Sequence, residues 1–467
     1  MTCIVYRSQV EVRAPELVRI QRRIPISRRA ALTGAASLPL LGNSAWQSRG
    51  LPASREARAV FAHYMVCCPT AGEHATELDF AAEIQQAQSH GLDGFVLNCG
   101  SWDREPRYHT YGTKIFAAAA TLGTNFKLLF SADRLSVDET VTMVTEFYDH
   151  PNMYRFRGRP MLSTFGGDDE WAKALLKSLE DMGKPIVFVP FFFPKGFDKR
   201  LTDANVAQLI ADNGYVDGFF YFGAGGPGDA IARTSERIGE AWSRAGKLYM
   251  APVSPYYRGL GPRNYRVFET RGFEGMAAQW KAAIDTGAQW AEIVTWNDWG
   301  ESTYVASFGP PGATNLWGRH WGPLLSHEAY LAASAYFIRW FKTGIQRIER
   351  DDLFWFYRLA SRMEPGRSLP DNATTSFPAG SDRLEDHVFV TVFLIDAARL
   401  KIESGDRTYE FALAAGVHHL NAEFAEGSQR FSLHRHGRAI LAGEGAFPIS
   451  RDNWANFNYL AGHTGPS

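Results

Sequence analysis

A chain of 467 residues is too long for one simple hydrophobic core, so we expect a large domain together with a smaller one. Hydrophobic residues make up 45% of the sequence and charged residues 21%, which is ordinary for a soluble globular protein. The formal net charge of −1 gives no electrostatic reason to expect nucleic acid or an anionic membrane as a partner. The aromatic fraction is high, 13% with 13 tryptophans, and fits either stacking on sugar rings or a large aromatic core.

The first 45 residues have the layout of a twin-arginine export signal. A basic region that ends in Arg28 and Arg29 leads into an apolar stretch, 30–41, and small residues follow at 43–45. The apolar stretch is too short to span a membrane. The alternative is a basic leader that contains paired arginines by chance. With the signal interpretation, the mature protein is exported to the periplasm or the extracellular space.

Three cysteines follow the predicted signal, Cys67, Cys68 and Cys99. Their spacing is not that of zinc ligands. In an oxidising compartment one disulfide between Cys99 and either Cys67 or Cys68 is compatible with the sequence. Buried free thiols are the equal alternative.

Short apolar stretches alternate with amphipathic ones over the first two thirds of the mature chain. The apolar stretches predict strands at 60–66, 93–98, 127–132, 160–165, 186–193, 216–222, 248–253 and 291–296. Helices are predicted between them, such as 77–90 and a helix with Asp138 as its N-cap. This α/β alternation predicts a (β/α)8 TIM barrel over residues 55–345. An open doubly wound sheet is disfavoured because no glycine-rich phosphate loop follows the first strand.

Beyond the predicted barrel the pattern changes twice. Residues 346–382 carry an aromatic patch and then a polar stretch, and we expect them to connect two domains. Residues 383–467 show a period of two, as in 388–394, which predicts a C-terminal antiparallel β-sandwich domain. Such a domain either binds carbohydrate or braces the barrel, and the sequence leaves both interpretations open.

Polar and aromatic side chains gather where the predicted barrel strands end. These ends meet at one face of a parallel barrel, which is where barrel enzymes carry their sites. The residues are His63, Asn98, Asp133, Tyr256, Tyr257, Trp296, Asn297, Asp298, Trp299 and Glu301. Asp93 instead starts a strand, where it would cap a turn. Ser163 and Ser254 stand in no G-x-S-x-G elbow, so an α/β-hydrolase site is not expected.

Asp298 lies between Trp296 and Trp299 in the sequence, and Glu301 follows two residues after Trp299. These two carboxyls are the candidate catalytic pair. Glycosidic hydrolysis needs one carboxylic acid to protonate the leaving oxygen and one carboxylate to activate water or attack the sugar. Asp298 is in phase with Trp296 on an alternating strand, whereas Glu301 reaches the same pocket only if Gly300 permits a turn. The alternative is that Glu301 caps or pairs locally. Apolar indole neighbours would exclude water and so raise the pKa of one carboxyl, as a general acid requires.

Five segments match, in chain order, the strand motifs of a known enzyme family. They are 61–66 (FAHYMV), 91–98 (GLDGFVLN), 130–133 (FSAD), 249–255 (YMAPVSP) and 292–302 (EIVTWNDWGES). These segments resemble glycoside hydrolase family 71, the α-1,3-glucanases or mutanases. The similarity runs from about Val60 to Tyr304 and continues more weakly to about Asn458.

The resemblance implies an inverting endo-α-1,3-glucanase on a (β/α)8 barrel with a β-sandwich appendage. It implies Glu301 as the general acid and Asp298 as the general base. Further residues are expected to contact the substrate, and these are His63, Asp93, Asn98, Asp133, Tyr256, Trp296, Asn297 and Trp299. No metal ion and no cofactor are expected.

The chain departs from the family pattern at three places around the expected cleft. Cys67 and Cys68 replace a Gly-Asn type of turn, and Thr303 stands where a histidine is common. The loop 223–228 lacks the usual tryptophan. These rim positions bear on the glucan specificity more than on hydrolysis.

The leading hypothesis is an exported, monomeric glycoside hydrolase whose partner is a polysaccharide or oligosaccharide containing α-glucan. A family 99-like retaining endo-α-mannosidase is the alternative enzyme, because its strand-end motif also resembles the segment 296–301. A non-catalytic glycan-binding protein is the alternative from another class, and the intact acidic pair argues against it.

Overall fold

A computed structural model describes residues 57–191, 202–259, 264–307, 324–362, 377–451 and 457–464 of the chain. The predicted export signal, residues 1–45, lies outside the described residues. The described residues from Arg58 onward belong to one compact unit.

A curled parallel sheet forms the centre of the N-terminal part. Its strands in chain order are β1 (Ala59–Met65), β2 (Gly94–Cys99), β3 (Lys127–Asp133), the short antiparallel β4 (Arg155–Phe156), β5 (Arg159–Phe165), β6 (Val187–Phe191), β7 (Gly218–Phe220), β8 (Leu248–Val253) and β11 (Trp290–Ile293). The ladder runs β5-β3-β2-β1-β11-β8-β7, and β6 pairs with the free side of β5. The strands are almost entirely buried, which explains why the sequence shows continuous apolar stretches there.

The two ends of this ladder approach each other at Asp217 and Phe188. The backbone N–H of Asp217 donates to the carbonyl of Phe188 at 3.1 Å. The Asp217 carboxylate accepts the Phe188 N–H at 2.9 Å. The sheet therefore curls far enough to bring β6 and β7 side by side. A small antiparallel hairpin, β9 (Tyr257–Gly259) and β10 (Arg266–Phe268), follows β8.

Eight α-helices lie among the described residues, besides a short 3-10 helix at Ser381–Arg383. They are α1 (Glu77–Ser89), α2 (Pro106–Leu122), α3 (Val137–Phe147), α4 (Asp169–Asp181), α5 (Asp203–Asp212), α6 (Gly228–Arg244), α7 (Glu274–Asp285) and α8 (Glu328–Thr343). Apart from the short β4 and the β9–β10 hairpin, strand and helix alternate from β1 to α7, as the sequence predicts. None of these helices is both long and apolar enough to cross a membrane.

The N-terminus of α3 shows how local side chains set a helix start. Ser136, not the predicted Asp138, is the N-cap, because its hydroxyl accepts the Glu139 N–H at 3.2 Å. Glu139 in turn accepts the Ser136 N–H, which completes a capping box. Asp138 lies in the first turn, where its charge still complements the helix dipole.

The C-terminal part contains two four-stranded antiparallel sheets. Its strands are β12 (Asp352–Arg358), β13 (His387–Leu394), β14 (Ala398–Ser404), β15 (Arg407–Leu413), β16 (Gly416–Glu423), β17 (Gln429–Arg435), β18 (Arg438–Glu444) and β19 (Tyr459–Thr464). The sheet orders are β16-β13-β12-β19 and β15-β14-β17-β18. Trp355 of β12 stacks on Phe431 of β17 with ring centroids 4.9 Å apart, so a hydrophobic layer joins the sheets.

Strand β12 falls inside 346–382, the segment expected to connect two domains. Its side chains face two cores in turn. Phe354 and Phe356 join the core of the N-terminal part, where the ring centroids of Phe356 and Tyr330 of α8 are 4.7 Å apart. Trp355 joins the core between the sheets. The aromatic patch in this segment is therefore a strand with two buried faces.

The three described cysteines are free thiols, with Cys99 buried and Cys67 and Cys68 partly buried. Of the two alternatives that the sequence leaves open, the structure shows the reduced one.

Candidate active site

The segment that carries the candidate acids is fixed by its own backbone and hydroxyl contacts. Strand β11 ends at Ile293, and the Thr295 N–H then donates to the Thr303 carbonyl at 2.9 Å. The Thr295 hydroxyl accepts the Asp298 N–H at 2.8 Å. The Asp298 carboxylate accepts the Glu301 N–H at 3.0 Å, which closes a tight turn around Gly300. The turn that Glu301 needs is therefore present.

Three residues of this segment, expected to contact substrate, are buried in the fold instead. Trp296 donates from Nε1 to Glu83 of α1 at 2.7 Å and packs on Phe95, on the helix side of the sheet. Trp299 donates to the Cys68 carbonyl at 3.0 Å. The expectation that these indoles contact substrate is corrected, because both side chains are fully buried and their N–H groups are used within the protein.

Asn297 is the third of these residues and acts as a clamp. Its amide oxygen accepts the Met65 N–H at 2.7 Å, and its amide nitrogen donates to the carbonyls of Met65 and Cys68 at 3.1 and 2.8 Å. These bonds tie the acid-bearing segment to the end of β1. Both amide N–H donors are therefore used within the protein.

Asp298 and Glu301 are both partly buried and interact electrostatically. Burial, with the nearby charge of Glu301, raises the pKa of Asp298 to about 8. Burial also raises the pKa of Glu301, and hydrogen bonds from Tyr257 and Asn264 and the charge of Arg266 oppose that rise. The hydrogen bonds to Glu301 therefore favour a distribution in which Glu301 carries the charge of the pair and Asp298 the proton.

The hairpin β9–β10 supplies the groups that hold Glu301. The Tyr257 hydroxyl donates to Glu301 Oε1 at 2.8 Å, and Asn264 Nδ2 donates to the same oxygen at 2.9 Å. The Arg266 guanidinium lies over the Tyr257 ring, 5.3 Å from its centroid. Tyr257 was expected at a strand end, whereas no sequence pattern indicated Asn264 or Arg266. Both belong to a hairpin that is not part of the strand–helix alternation of the barrel. No hydrophobic periodicity in the sequence therefore points to them.

A second polar group lies on the inner face of the sheet. His63 and Glu292 are in contact, with Nδ1 and Oε1 2.6 Å apart. Asp133 ends β3 and accepts a hydrogen bond from the Asn98 side chain. Burial raises the pKa of Asp133 to about 6, although Arg134, His63 and Asn98 oppose the rise. His63, Asn98 and Asp133 thus lie near one another on this face, with Glu292 beside His63.

Two other expected substrate contacts are placed away from the acids. Asp93 precedes β2 at the amino end of the sheet, where it accepts the Val60 N–H at 2.8 Å and pairs with Lys342 at 2.6 Å. Tyr256 is fully buried, donates to the Phe457 carbonyl and meets Tyr459 edge to face at 4.8 Å. Both expectations are corrected, because Asp93 stabilises the opposite edge and Tyr256 anchors the C-terminal strand.

The family model for Glycosyl hydrolase family 71 matches residues 56–466. The chain belongs to this family. The predicted family and the predicted enzyme class, a glycoside hydrolase, are confirmed.

Relatives within family 71 match most of the chain. A glucan endo-1,3-alpha-glucosidase of Schizosaccharomyces pombe is 28% identical over 83% of this chain and 91% of its own length. A mutanase of Penicillium rubens is 26% identical over 90% of this chain and 92% of its own length. Among solved structures, a GH99 endo-alpha-mannosidase of Bacteroides thetaiotaomicron gives a TM-score of 0.47 at 16% identity, over 60% of this chain and 97% of that one.

Proposed function

We propose that this family 71 enzyme cleaves α-1,3-linked glucan by acid/base hydrolysis with Asp298 and Glu301. The activities in the names of its relatives support the substrate. The observation that carries the chemistry is the unequal carboxyl pair. Asp298 has its pKa raised to about 8, while Glu301 accepts hydrogen bonds from Tyr257 and Asn264.

The proposed scaffold is a closed (β/α)8 barrel with an appended β-sandwich. Support comes from the alternation of strands and helices and from the Asp217–Phe188 hydrogen bond that brings β6 beside β7. The acids follow β11 at the carboxyl edge of the sheet, which is where barrel enzymes place their sites. The two antiparallel sheets and their shared hydrophobic layer support the sandwich.

The electrostatics exchange the two roles that the family resemblance implied. Asp298, the protonated member, donates its proton to the glycosidic oxygen as the general acid. Glu301, whose charged form is hydrogen-bonded, removes a proton from the attacking water as the general base. Attack by water on the face opposite the leaving group inverts the anomeric centre. His63, Asn98 and Asp133 are proposed to bind sugar hydroxyls on the inner face.

The anomer of the first product tests this mechanism. Proton NMR of a fresh digest of α-1,3-glucan should show the β-anomer before mutarotation, and initial release of the α-anomer would contradict inversion. Glucan binding without new reducing ends would instead support a non-catalytic binding protein. Asp298→Asn and Glu301→Gln are the matched variants, and full turnover in both would end the assignment of the pair.

Export is a separate proposal that concerns Arg28, Arg29 and the apolar stretch 30–41. Replacing both arginines with lysine should leave the unprocessed enzyme in the cytoplasm, because the export pathway reads the arginine pair. Unchanged export of the double-lysine form would contradict the twin-arginine interpretation. The measurement is the size and location of the enzyme after cell fractionation.

A further inference from the structure

The β9–β10 hairpin contacts Glu301 through its backbone as well as its side chains. The Arg258 N–H donates to the Glu301 carbonyl at 2.9 Å. The hydroxyl of the preceding residue, Tyr257, donates to the Glu301 carboxylate at 2.8 Å. Asn264, just before β10, donates to the same carboxylate at 2.9 Å. The position of the hairpin therefore decides whether Glu301 keeps its side-chain donors.

A segment of the C-terminal part lies along the edge of this hairpin. Each hairpin strand has only three residues, and an isolated pair of such strands is marginally stable in water. Residues 377–379, which lead into β13, run parallel to β10. The Val267 N–H donates to the Ala379 carbonyl at 2.9 Å, and the Ala379 N–H donates to the Tyr265 carbonyl at 3.1 Å. These residues therefore act as a third strand that supports the hairpin.

Gly380 allows this segment to approach the hairpin closely. Its φ of +91° lies in the left-handed region that glycine adopts freely, and a Cβ there would overlap the Val267 carbonyl oxygen. Gly437, in the turn between β17 and β18, has a similar φ of +76°. A Cβ at Gly437 would meet nothing within 4 Å among the described residues. The two glycines therefore share a backbone constraint, but only Gly380 is also constrained by the hairpin.

Glu269 follows β10 and ties it to two strands of the C-terminal part. Its Oε1 accepts the N–H groups of Thr270 and Arg271 at 2.9 and 2.8 Å, which fixes the side chain against its own turn. The same oxygen accepts the hydroxyl of Tyr459 in β19 at 2.5 Å. Its Oε2 accepts the N–H of Glu385, two residues before β13, at 2.9 Å. One carboxylate therefore joins the end of the hairpin to β13 and β19.

We propose that the C-terminal part of the chain is a component of the active site, because residues 377–385 and strand β19 hold the β9–β10 hairpin in place beside Glu301. Glu269 is the positioning residue, and it acts on Glu301 through Tyr257 and Asn264. The inference rests on the proposed function for its effect on hydrolysis. Of the two roles that the sequence leaves open for the C-terminal domain, these contacts support bracing.

The first test is Glu269→Gln, which keeps the size of the side chain but sets an NH₂ group against an N–H or O–H donor that the carboxylate accepts. A looser hairpin weakens the hydrogen bonds to ionised Glu301, so kcat/KM on α-1,3-glucan should fall about threefold to tenfold. The acid limb should move to higher pH, because the donors that lower the pKa of Glu301 are weakened. An unchanged kcat/KM and an unmoved acid limb would overturn the proposal.

A double variant shows whether Glu269 acts through the hairpin. Combined with Tyr257→Phe, Glu269→Gln should cost less than the product of the two single losses in kcat/KM, because part of what it disturbs is already gone. Single losses that multiply in full would mean that Glu269 acts independently of Tyr257, and would contradict the proposal.

The two glycines provide a matched pair of variants. Gly380→Ala forces residues 377–379 away from β10 and should change kcat/KM and the acid limb in the same directions as Glu269→Gln. Gly437→Ala imposes a similar backbone strain in the same part of the chain without touching the hairpin. It should lower thermal stability and leave the acid limb in place. An equal displacement in both variants would show that general destabilisation moves the acid limb, and would overturn the proposal.

Hydrogen exchange of the full-length enzyme, followed by mass spectrometry, tests the proposal without hydrolysis. Peptides that cover the β9–β10 hairpin should exchange about threefold to tenfold faster in Glu269→Gln and Gly380→Ala than in the parent enzyme. Peptides from β14 and β17 should exchange at the parent rate in both variants. Unchanged exchange of the hairpin in both variants would overturn the proposal. Faster hairpin exchange in an enzyme that fails to cleave the glucan would support the bracing contacts and refute the proposed function alone.

Discussion

The two edges of the parallel sheet hold their carboxylates in different surroundings. At the amino edge, Asp93 and Asp217 each accept one backbone N–H and pair with one cation, Lys342 and Arg159 respectively. Their side chains remain 32% and 30% exposed. At the carboxyl edge, Asp133 and Asp298 have pKa values raised to about 6 and about 8 by burial.

This difference separates carboxylates that stabilise the edge of the sheet from carboxyls that are proposed to bind or cleave the substrate. At the amino edge, an ion pair and a backbone donor let the carboxylate stabilise the fold. A carboxyl that is desolvated beside another acid can hold a proton at neutral pH, which costs stability but supplies an acid for chemistry. The edge of the sheet at which an aspartate lies therefore indicates its role better than its residue type does.

The largest effect on kcat is expected when the same Asp→Asn substitution is compared at the two edges of the parallel sheet. Asp298→Asn removes the proposed proton donor and should reduce kcat on α-1,3-glucan by about 10²- to 10⁴-fold. Asp93→Asn should leave kcat unchanged and lower the free energy of unfolding by about 1 kcal/mol, because its ion pair is partly exposed and screened. Reducing-end assays and chemical denaturation measure the two results. A loss of kcat in Asp93→Asn would contradict the proposed difference between the carboxyls at the two edges of the sheet.

Asp298→Asn should also stabilise the protein. The raised pKa means that folding is favoured when Asp298 is protonated, so its contribution is complete below the ordinary value of 3.8 and is lost as pH rises through about 8. An amide needs no proton, and the variant should gain about 0.5–2 kcal/mol at neutral pH. The gain should shrink toward pH 4. A variant that is equally destabilised at both pH values would contradict a buried, protonated Asp298.

The pH profile of the parent enzyme gives the next largest effect. Hydrolysis requires protonated Asp298, so kcat/KM should fall about tenfold per pH unit above about 8. Glu301 must be ionised, and its raised pKa places the acid limb above the usual range of a glutamate. A profile that stays flat through pH 9 would contradict Asp298 as the general acid. Glu301→Gln should lose the acid limb together with most of the rate.

Tyr257→Phe removes one hydrogen bond from Glu301 while keeping the ring under Arg266. A hydrogen bond to a charged group contributes about 1.5 kcal/mol, so kcat/KM should fall roughly tenfold. The acid limb should also move to higher pH, because the ionised form of Glu301 loses a donor. Unfolding should change little, since the ring still fills its place. An unchanged pH profile would mean that Tyr257 packs beside Glu301 without tuning it.

The positions of the strands along the chain and the acidic pair are predictable from the sequence, because both leave local signals. Apolar stretches mark the buried strands, and two carboxyls near one strand end are unusual enough to indicate chemistry. The location of Trp296 is not predictable in this way, because the strand ends at Ile293 and the turn that follows breaks the alternation of side chains. Asn264 and Arg266 approach Glu301 only through tertiary folding, so no spacing in the sequence could reveal them.

The smallest effect is expected one residue from Tyr257. The Tyr256 hydroxyl donates to the Phe457 carbonyl, and its ring meets Tyr459, so it joins the sheet edge to the C-terminal strand rather than to substrate. Tyr256→Phe should lower the free energy of unfolding by about 1 kcal/mol, because a buried carbonyl loses its donor. Its kcat and KM on α-1,3-glucan should match those of the parent enzyme at a temperature where both are folded. A raised KM would restore Tyr256 as a sugar contact. An unchanged kcat/KM in Tyr256→Phe, together with a tenfold loss of kcat/KM in Tyr257→Phe, would show that Tyr256 stabilises the fold while its neighbour Tyr257 supports hydrolysis.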